Sequence, residues 1–270
     1  MPQFSQRLLK AQSIVLEAGK ILKTGFLKPL KSRNKAGVHN LVTAYDLKVE
    51  KFILSALKKL YPNDLFIAEE TGFCPIDTKK TSWILDPLDG TVNFVHGLPF
   101  FNISLAARDK EELVLAIVFA PVLNELFVAE KGRGAFFNQK RIQVSKCAKI
   151  EKAFLATGFP YHSRENPENC LERFYNLAQR GLPIRRLGAA ALDLCYVACG
   201  KFDAFWETGL GPWDCAAGAL LIEEANGKVS NWKGEKWQIG AYNTILASNG
   251  LLQKQMVQAL QATQTNQAGL

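Results

Sequence analysis

"WILDPLDGTVNF", residues 83–94, opens as a buried strand and then sets two aspartates, a proline, a glycine, a threonine and an asparagine within eight positions. Pro87 biases the residue before it to extended backbone, so Asp86 stands at the end of its strand and no helix runs through it. Gly90 lets the chain fold back, and the Gly90 and Thr91 N–H groups then converge into a nest that accepts an anion. A surface turn explains the Asp, Pro and Gly content alone. Carboxylates that bind cations beside amides that bind anions are what metal-assisted phosphoryl transfer requires.

Two other acidic segments are placed to join these aspartates. "LFIAEE", residues 65–70, is a short strand that stops on Glu69 and Glu70, and Asp214 follows Pro212 and Trp213 where a helix begins. Each has an ordinary reading as well: an Asx turn, an exposed acidic pair, a helix cap. Magnesium takes oxygen ligands from a few carboxylates. Composition and spacing therefore support a magnesium-type site and nothing finer.

The rest of the chain supplies a large frame. With 270 residues, 48% hydrophobic and 21% charged, it can bury a sizeable core as one large domain or two packed parts. Residues 1–19 lack a signal-peptide core, and no stretch is apolar enough to span a membrane, so a cytoplasmic protein is expected. The six cysteines form no C-x-x-C pair and the three histidines are scattered, which excludes zinc-type spacing and favours reduced thiols. A net charge of +8 without a basic block permits anionic substrates or nucleic acid, but no nucleic-acid motif is present.

Apolar periodicity predicts a helix through Leu8, Ala11, Val15, Ala18 and Leu22, a loop over 28–40, and a second helix over 46–62 that Pro62 ends. Strands follow at 65–70 and 82–86, then an antiparallel run over 101–138. From about residue 150 strands alternate with helices: strands at 153–159, 182–188, 201–207 and 243–248, helices at 167–180, 190–200, 213–227 and 251–262. Two parts are expected, 1–148 carrying most of the acidic residues and 149–270 carrying Asp214, packed as one compact unit.

At this point the sequence resembles the inositol monophosphatase family, most closely its bacterial inositol-1-monophosphatase branch. "AEE" at 68–70, "DPLDGTVNF" at 86–94 and "PWDCAAG" at 212–218 are similar to its signature segments, and "LVTAYD" at 41–46 and "RRLGAAALDLCYVACGKFDAFWE" extend the likeness along the chain. The resemblance implies a layered αβαβα sandwich of the inositol monophosphatase/fructose-1,6-bisphosphatase type, an α/β (α+β) fold with its site between the two parts. It implies two or three Mg²⁺ ions. Glu69, Asp86 and the Leu88 carbonyl would hold the first; Asp86, Asp89 and Asp214 the second; a third, weaker ion would lie near Glu69. It further implies that Asp46 and Thr91 orient the attacking water, with Glu69 beside them. The Gly90 and Thr91 amides would bind phosphate, Glu207 and Ala190 the sugar hydroxyls, and Lys35 would help close the site.

Ala189 stands where many relatives carry Ser or Thr, which removes a hydrogen bond to a polyol worth on the order of 1 kcal/mol. Asn226 replaces a frequent glycine, and Asn tolerates left-handed backbone. The expected activity is hydrolysis of myo-inositol 1-phosphate, by a lithium-sensitive homodimer. Fructose 1,6-bisphosphate, 3′-phosphoadenosine 5′-phosphate and histidinol phosphate are the alternative substrates. The alternative of another class is an interaction protein serving RNA or the transcription machinery.

Overall fold

A computed structural model describes residues 4–28, 32–34, 41–72, 79–239 and 244–261. Two helices come first, α1 (Gln6–Gly25) and α2 (Ala44–Leu60), separated by the paired strands β1 (Ser32–Asn34) and β2 (Leu41–Thr43). The expectation of a loop over 28–40 is thus corrected at Ser32–Asn34, a polar strand with no apolar alternation to announce it. A seven-stranded sheet follows in the order of the chain: β3 (Leu65–Ala68), β4 (Ser82–Asp89), β5 (Asn102–Asp109), β6 (Glu112–Ala120), β7 (Glu125–Glu130), β8 (Gly134–Phe137) and β9 (Lys140–Arg141). β3 and β4 run parallel, while every later pair is antiparallel. The short helix α3 (Thr91–Val95) sits between β4 and β5.

The second half builds a mixed sheet from β10 (Leu155–Thr157), β11 (Ile184–Arg185), β12 (Ala204–Glu207), β13 (Lys228–Ser230) and β14 (Ile245–Ser248). Their order is β11-β10-β12-β14-β13, with the first three strands parallel. Helices α4 (Cys170–Ala178), α5 (Ala190–Ala198), α6 (Pro212–Glu224) and α7 (Gln253–Gln261) are interleaved with them. α4 begins three residues later than periodicity predicts, because Asn166, Glu168 and Asn169 adopt left-handed backbone ahead of it. Asn226 is left-handed too, at φ 66°.

Strand alternation sorts the side chains into layers. On β4, β5 and β6, Trp83, Leu85, Ile103, Leu105, Ala107, Leu115, Ile117 and Phe119 face α1 and α2. Their neighbours Ile84, Ala106, Ala116, Val118 and Ala120 face α5 and α6, where the second sheet contributes Ala156, Phe205, Ile245 and Ala247. Leu155, Ala204, Trp206 and Leu246 point the other way, onto α4 and α7. A side-chain period of two generates the alternation, and the alanines on the inner face let α6 approach closely. The layers run helix, sheet, helix, sheet, helix. α6 is apolar on nearly every side because it lies between the two sheets.

Candidate functional site

Pro87 interrupts β4 without ending it. Asp86 pairs with Ser104 and Asp89 with Asn102, so Pro87 and Leu88 together face the single residue Ile103. Proline lacks the ladder donor and is tolerated at such a bulge. The expectation that the strand stops at Asp86 is corrected: it continues to Asp89, and the bulge turns both carboxylates toward one place. The Leu88 N–H donates to Asp86 Oδ1 at 2.9 Å, which fixes one oxygen of that carboxylate.

Parallel pairing brings up the next acid. Ala68 on β3 stands beside Leu85 on β4, and the Glu69 N–H donates to the Leu85 carbonyl at 3.2 Å. Glu69 therefore emerges beside Asp86, where its charge acts on Asp86, Asp89 and Asp214. The neighbouring turn is held by Glu50, a buried α2 residue whose Oε2 accepts the Glu70 N–H at 3.0 Å.

Asp214 arrives from the other half of the chain. It occupies the first turn of α6, where its Oδ2 accepts the Gly211 N–H at 2.6 Å. The capping role and the site role coexist, since one oxygen caps the helix while the carboxyl group contacts Asp86. Ligand atoms of Asp86, Asp89 and Asp214 all lie within 4.8 Å of one another.

Asp89 is also the bolt between the two halves. Its Oδ1 accepts the Ala190 N–H at 3.2 Å, and its Oδ2 accepts the Ala191 N–H at 2.9 Å and Asn102 Nδ2 at 2.7 Å. First-turn amides of a helix have no intrahelical acceptor, and Ala189 offers no side-chain cap, so a carboxylate from β4 caps α5. Ala190 thus meets the site through its backbone. Asn93 ties down the approach to α5, donating from Nδ2 to the carbonyls of Phe100 (2.7 Å) and Leu187 (2.8 Å).

A second hydrogen-bonded unit flanks the acids. Asp46, in the first turn of α2, accepts the Thr43 N–H (2.7 Å) and hydroxyl (2.6 Å) at Oδ2, and the Thr91 hydroxyl at Oδ1 (3.1 Å). Thr91 Oγ1 also lies 2.9 Å from the Leu88 carbonyl. Its one proton is shared between these acceptors, so the lone pairs of Oγ1 remain to accept a further donor. Gly90 ahead of it has φ 85°, and an added Cβ would lie 2.9 Å from the Phe100 carbonyl oxygen and 3.1 Å from Ala189 Cβ. Gly90→Ala is therefore expected to cost about 1–3 kcal/mol, read as a lower urea midpoint, because both backbone and space oppose it.

Burial sets the electrostatics. Desolvation first, then the charges of Glu69, Asp89 and Asp214, pushes Asp86 well above the usual carboxylate range. Desolvation raises Asp89 to about 6 against the pull of Asn102 and the α5 amides. Asp214 is raised strongly by burial and then by Glu69 and Asp89, and Asp46 is raised by burial. Glu207, at the end of β12, is raised well above its usual range by burial and then by Asp214. Without a cation these groups repel one another.

Glu69, Asp86, Leu88, Asp89, Gly90, Thr91, Asp46, Asp214, Glu207, Ala189 and Ala190 are thus gathered around one locus, whereas Lys35 falls outside the described residues. Sequence reasoning missed Thr43, Glu50, Asn93, Asn102 and Tyr161. Thr43 and Asp46 have the spacing of a capping box, a readable signal. Asn102 has none, since its role comes from lying opposite Asp89. Tyr161 is 58% exposed, yet burial of its hydroxyl and then the charges of Glu69, Asp89 and Asp214 push it up to about 12.

Known proteins resemble this chain along most of its length. The sequence profile of the inositol monophosphatase family matches residues 5–265. A relative from Pseudomonas aeruginosa named Nus factor SuhB is 45% identical over 222 residues, 79% of this chain and 82% of its own. The inositol-1-monophosphatase of Caulobacter vibrioides is 39% identical over 231 residues, 85% of this chain and 90% of its own. The crystal structure of the extragenic suppressor protein suhB from Bartonella henselae superposes with a TM-score of 0.89 at 36% identity, covering 96% of this chain and 99% of that one. The chain belongs to the inositol monophosphatase family.

Proposed function

We propose that the protein is a Mg²⁺-dependent phosphate monoester hydrolase whose preferred substrate is myo-inositol 1-phosphate. The observation that carries the reading is the cluster of Asp86, Asp89 and Asp214, three carboxylates from two halves of the fold converging within 4.8 Å. The donor set fits the ion: hard carboxylate oxygens, buried and mutually repelling, have their charge balanced by a divalent cation. Asp86, Asp89 and Asp214 would hold one ion, and Glu69, Asp86 and the Leu88 carbonyl another, with Asp86 common to both. When bound, Mg²⁺ lowers the pKa of water, offsets the charge of the phosphate and stabilises the leaving oxygen.

The chain's own residues do the positioning. Thr91, with its proton directed to Asp46 or the Leu88 carbonyl, accepts a hydrogen bond from the attacking water and aims its lone pair at phosphorus. Asp46, anchored by Thr43, keeps that hydroxyl oriented and can receive the proton. The Gly90 and Thr91 amides bind the phosphoryl oxygens, and Glu207 and the α5 start around Ala189 and Ala190 meet the alcohol. In-line displacement asks for this kind of alignment rather than for a covalent nucleophile.

The test is phosphate release across myo-inositol 1-phosphate, fructose 1,6-bisphosphate, 3′-phosphoadenosine 5′-phosphate and histidinol phosphate, with and without Mg²⁺. Turnover is expected only with Mg²⁺, fastest on the inositol ester and suppressed by Li⁺. No release from any of the four would end the hydrolase reading. The family also supports a homodimer, which a monomeric mass by light scattering at micromolar concentration would contradict.

The electrostatics give a second readout. The raised pKa values mean that the folded, metal-free protein retains protons the unfolded chain has released, in a window from about 4 to about 6 for Asp89, with Asp86 and Asp214 shifted in the same direction. Stability of the metal-free protein therefore falls as pH rises through that window. Added Mg²⁺ is expected to raise Tm by several degrees at about pH 7.5 and by much less at about pH 5. Equal shifts at both would contradict binding at these groups.

The relative named Nus factor SuhB and the net charge of +8 support a second, non-catalytic reading in which the chain serves RNA or the transcription machinery. Salt-sensitive RNA binding that persists in Asp89→Asn would establish it, and its absence would leave the hydrolase alone.

A further inference from the structure

We propose that Asn102 is a positioning residue for Asp89, pinning one carboxylate oxygen so that the other is the one offered to a cation. The inference rests on the metal-dependent reading and adds to it a side chain outside the ligand set. Register brings the two residues together: Asn102 on β5 is the ladder partner of Asp89 on β4, past the bulge at Pro87 and Leu88. Side chains directly opposite on paired strands are close enough for a short amide to reach a short carboxylate. Asn102 Nδ2 donates to Asp89 Oδ2 at 2.7 Å, the shortest of the three hydrogen bonds described for that carboxylate.

The donors divide unequally between the oxygens. Oδ2 accepts two, Asn102 Nδ2 and the Ala191 N–H at 2.9 Å, whereas Oδ1 accepts the Ala190 N–H alone, at 3.2 Å. A carboxylate oxygen has about two lone-pair sites, so Oδ2 is filled and Oδ1 keeps one free. The amides approach from α5 and Asn102 from β5, which grips the group from both sides. Without the grip from β5 the α5 amides still dock Asp89, but Oδ2 regains a lone pair and the carboxylate plane can turn. Partners of this kind fix the orientation of a metal ligand and with it the affinity of the site.

Stability alone does not account for an amide at this position. Asn102 is fully buried on the face of β5 that it shares with Ser104 and Ala106, and its own Oδ1 has no partner among the described residues. A buried carbonyl left unpaired costs stability that an apolar side chain would not. The chain accepts that cost for the contact with Asp89. Ser104, the next residue on that face, stands opposite Asp86 and donates to the Trp213 carbonyl at 3.0 Å, so β5 also braces the helix turn that carries Asp214.

The experiment is Asn102→Leu, close in size and unable to donate, with Asn102→Ala as a second variant that cannot crowd the acids. Binding of Mn²⁺ to substrate-free protein is titrated by electron paramagnetic resonance, and deuterium exchange at the Ala190 and Ala191 amides is followed without metal. In both variants the Mn²⁺ dissociation constant rises about tenfold or more, while the two amides stay as protected as in wild type. The Mg²⁺ concentration for half-maximal phosphate release rises by the same factor. Unchanged affinity would overturn the proposal. So would weaker binding accompanied by faster exchange at the two amides, which would make Asn102 a support for the docking of α5 instead.

Failure of the hydrolase reading is separable. A wild type that binds Mn²⁺ and releases no phosphate ends that reading, and the comparison of affinities still decides the role of Asn102. A wild type that binds no Mn²⁺ overturns the proposal outright.

Discussion

Asp86→Asn is expected to lower kcat/KM for Mg²⁺-dependent phosphate release by about a thousandfold or more, while making the metal-free protein more stable. The two effects have one cause. Asp86 is a buried residue on which the charges of Glu69, Asp89 and Asp214 all bear, so its anion is strongly disfavoured when no cation is present. Asparagine keeps an oxygen to accept the Leu88 N–H and removes the charge. Thermal melts in chelator at neutral pH are expected to show a higher Tm for the variant, and melts in Mg²⁺ a smaller gain than wild type. An activity loss with a lower metal-free Tm would mean that Asp86 is a structural turn residue instead.

Asp89→Asn abolishes activity as well, and stability moves in the other direction. Both carboxylate oxygens of Asp89 accept hydrogen bonds, from Ala190 on one side and from Ala191 and Asn102 on the other. Asn102 can turn its amide over to suit a new NH₂ group, but a backbone N–H cannot. Whichever way the new side chain points, one first-turn amide of α5 is left facing a donor, at about 1–3 kcal/mol. The metal-free Tm is therefore expected to drop below that of Asp86→Asn, with the amides of Ala190 and Ala191 exchanging faster with deuterium. Identical melting for the two variants would show that Asp89 does not dock α5.

These two aspartates also show how far the sequence could be read. The alternation along 101–138 reveals the antiparallel strands because both faces are buried against helices of different depth, large residues on one side and alanines on the other. Asp86 and Asp89 were legible as a pair for a local reason, proline and glycine flanking carboxylates. Joining them to Asp214 took family resemblance, since over a hundred residues separate the two segments and no spacing rule spans them. The helix-capping function of Asp214 was legible from its place just after Pro212 at a helix start, whereas the docking function of Asp89 had no local signature at all. Neither did Asn102, whose partner is set by strand register.

The central claim, that Asp86, Asp89 and Asp214 hold a catalytic divalent ion, is tested most directly by crystals soaked in Mn²⁺. The account predicts an anomalous difference peak among the three carboxylates in wild type and its loss in Asp86→Asn. A wild-type protein active with Mn²⁺ but showing no peak there, or a peak that persists undiminished in the variant, would contradict it.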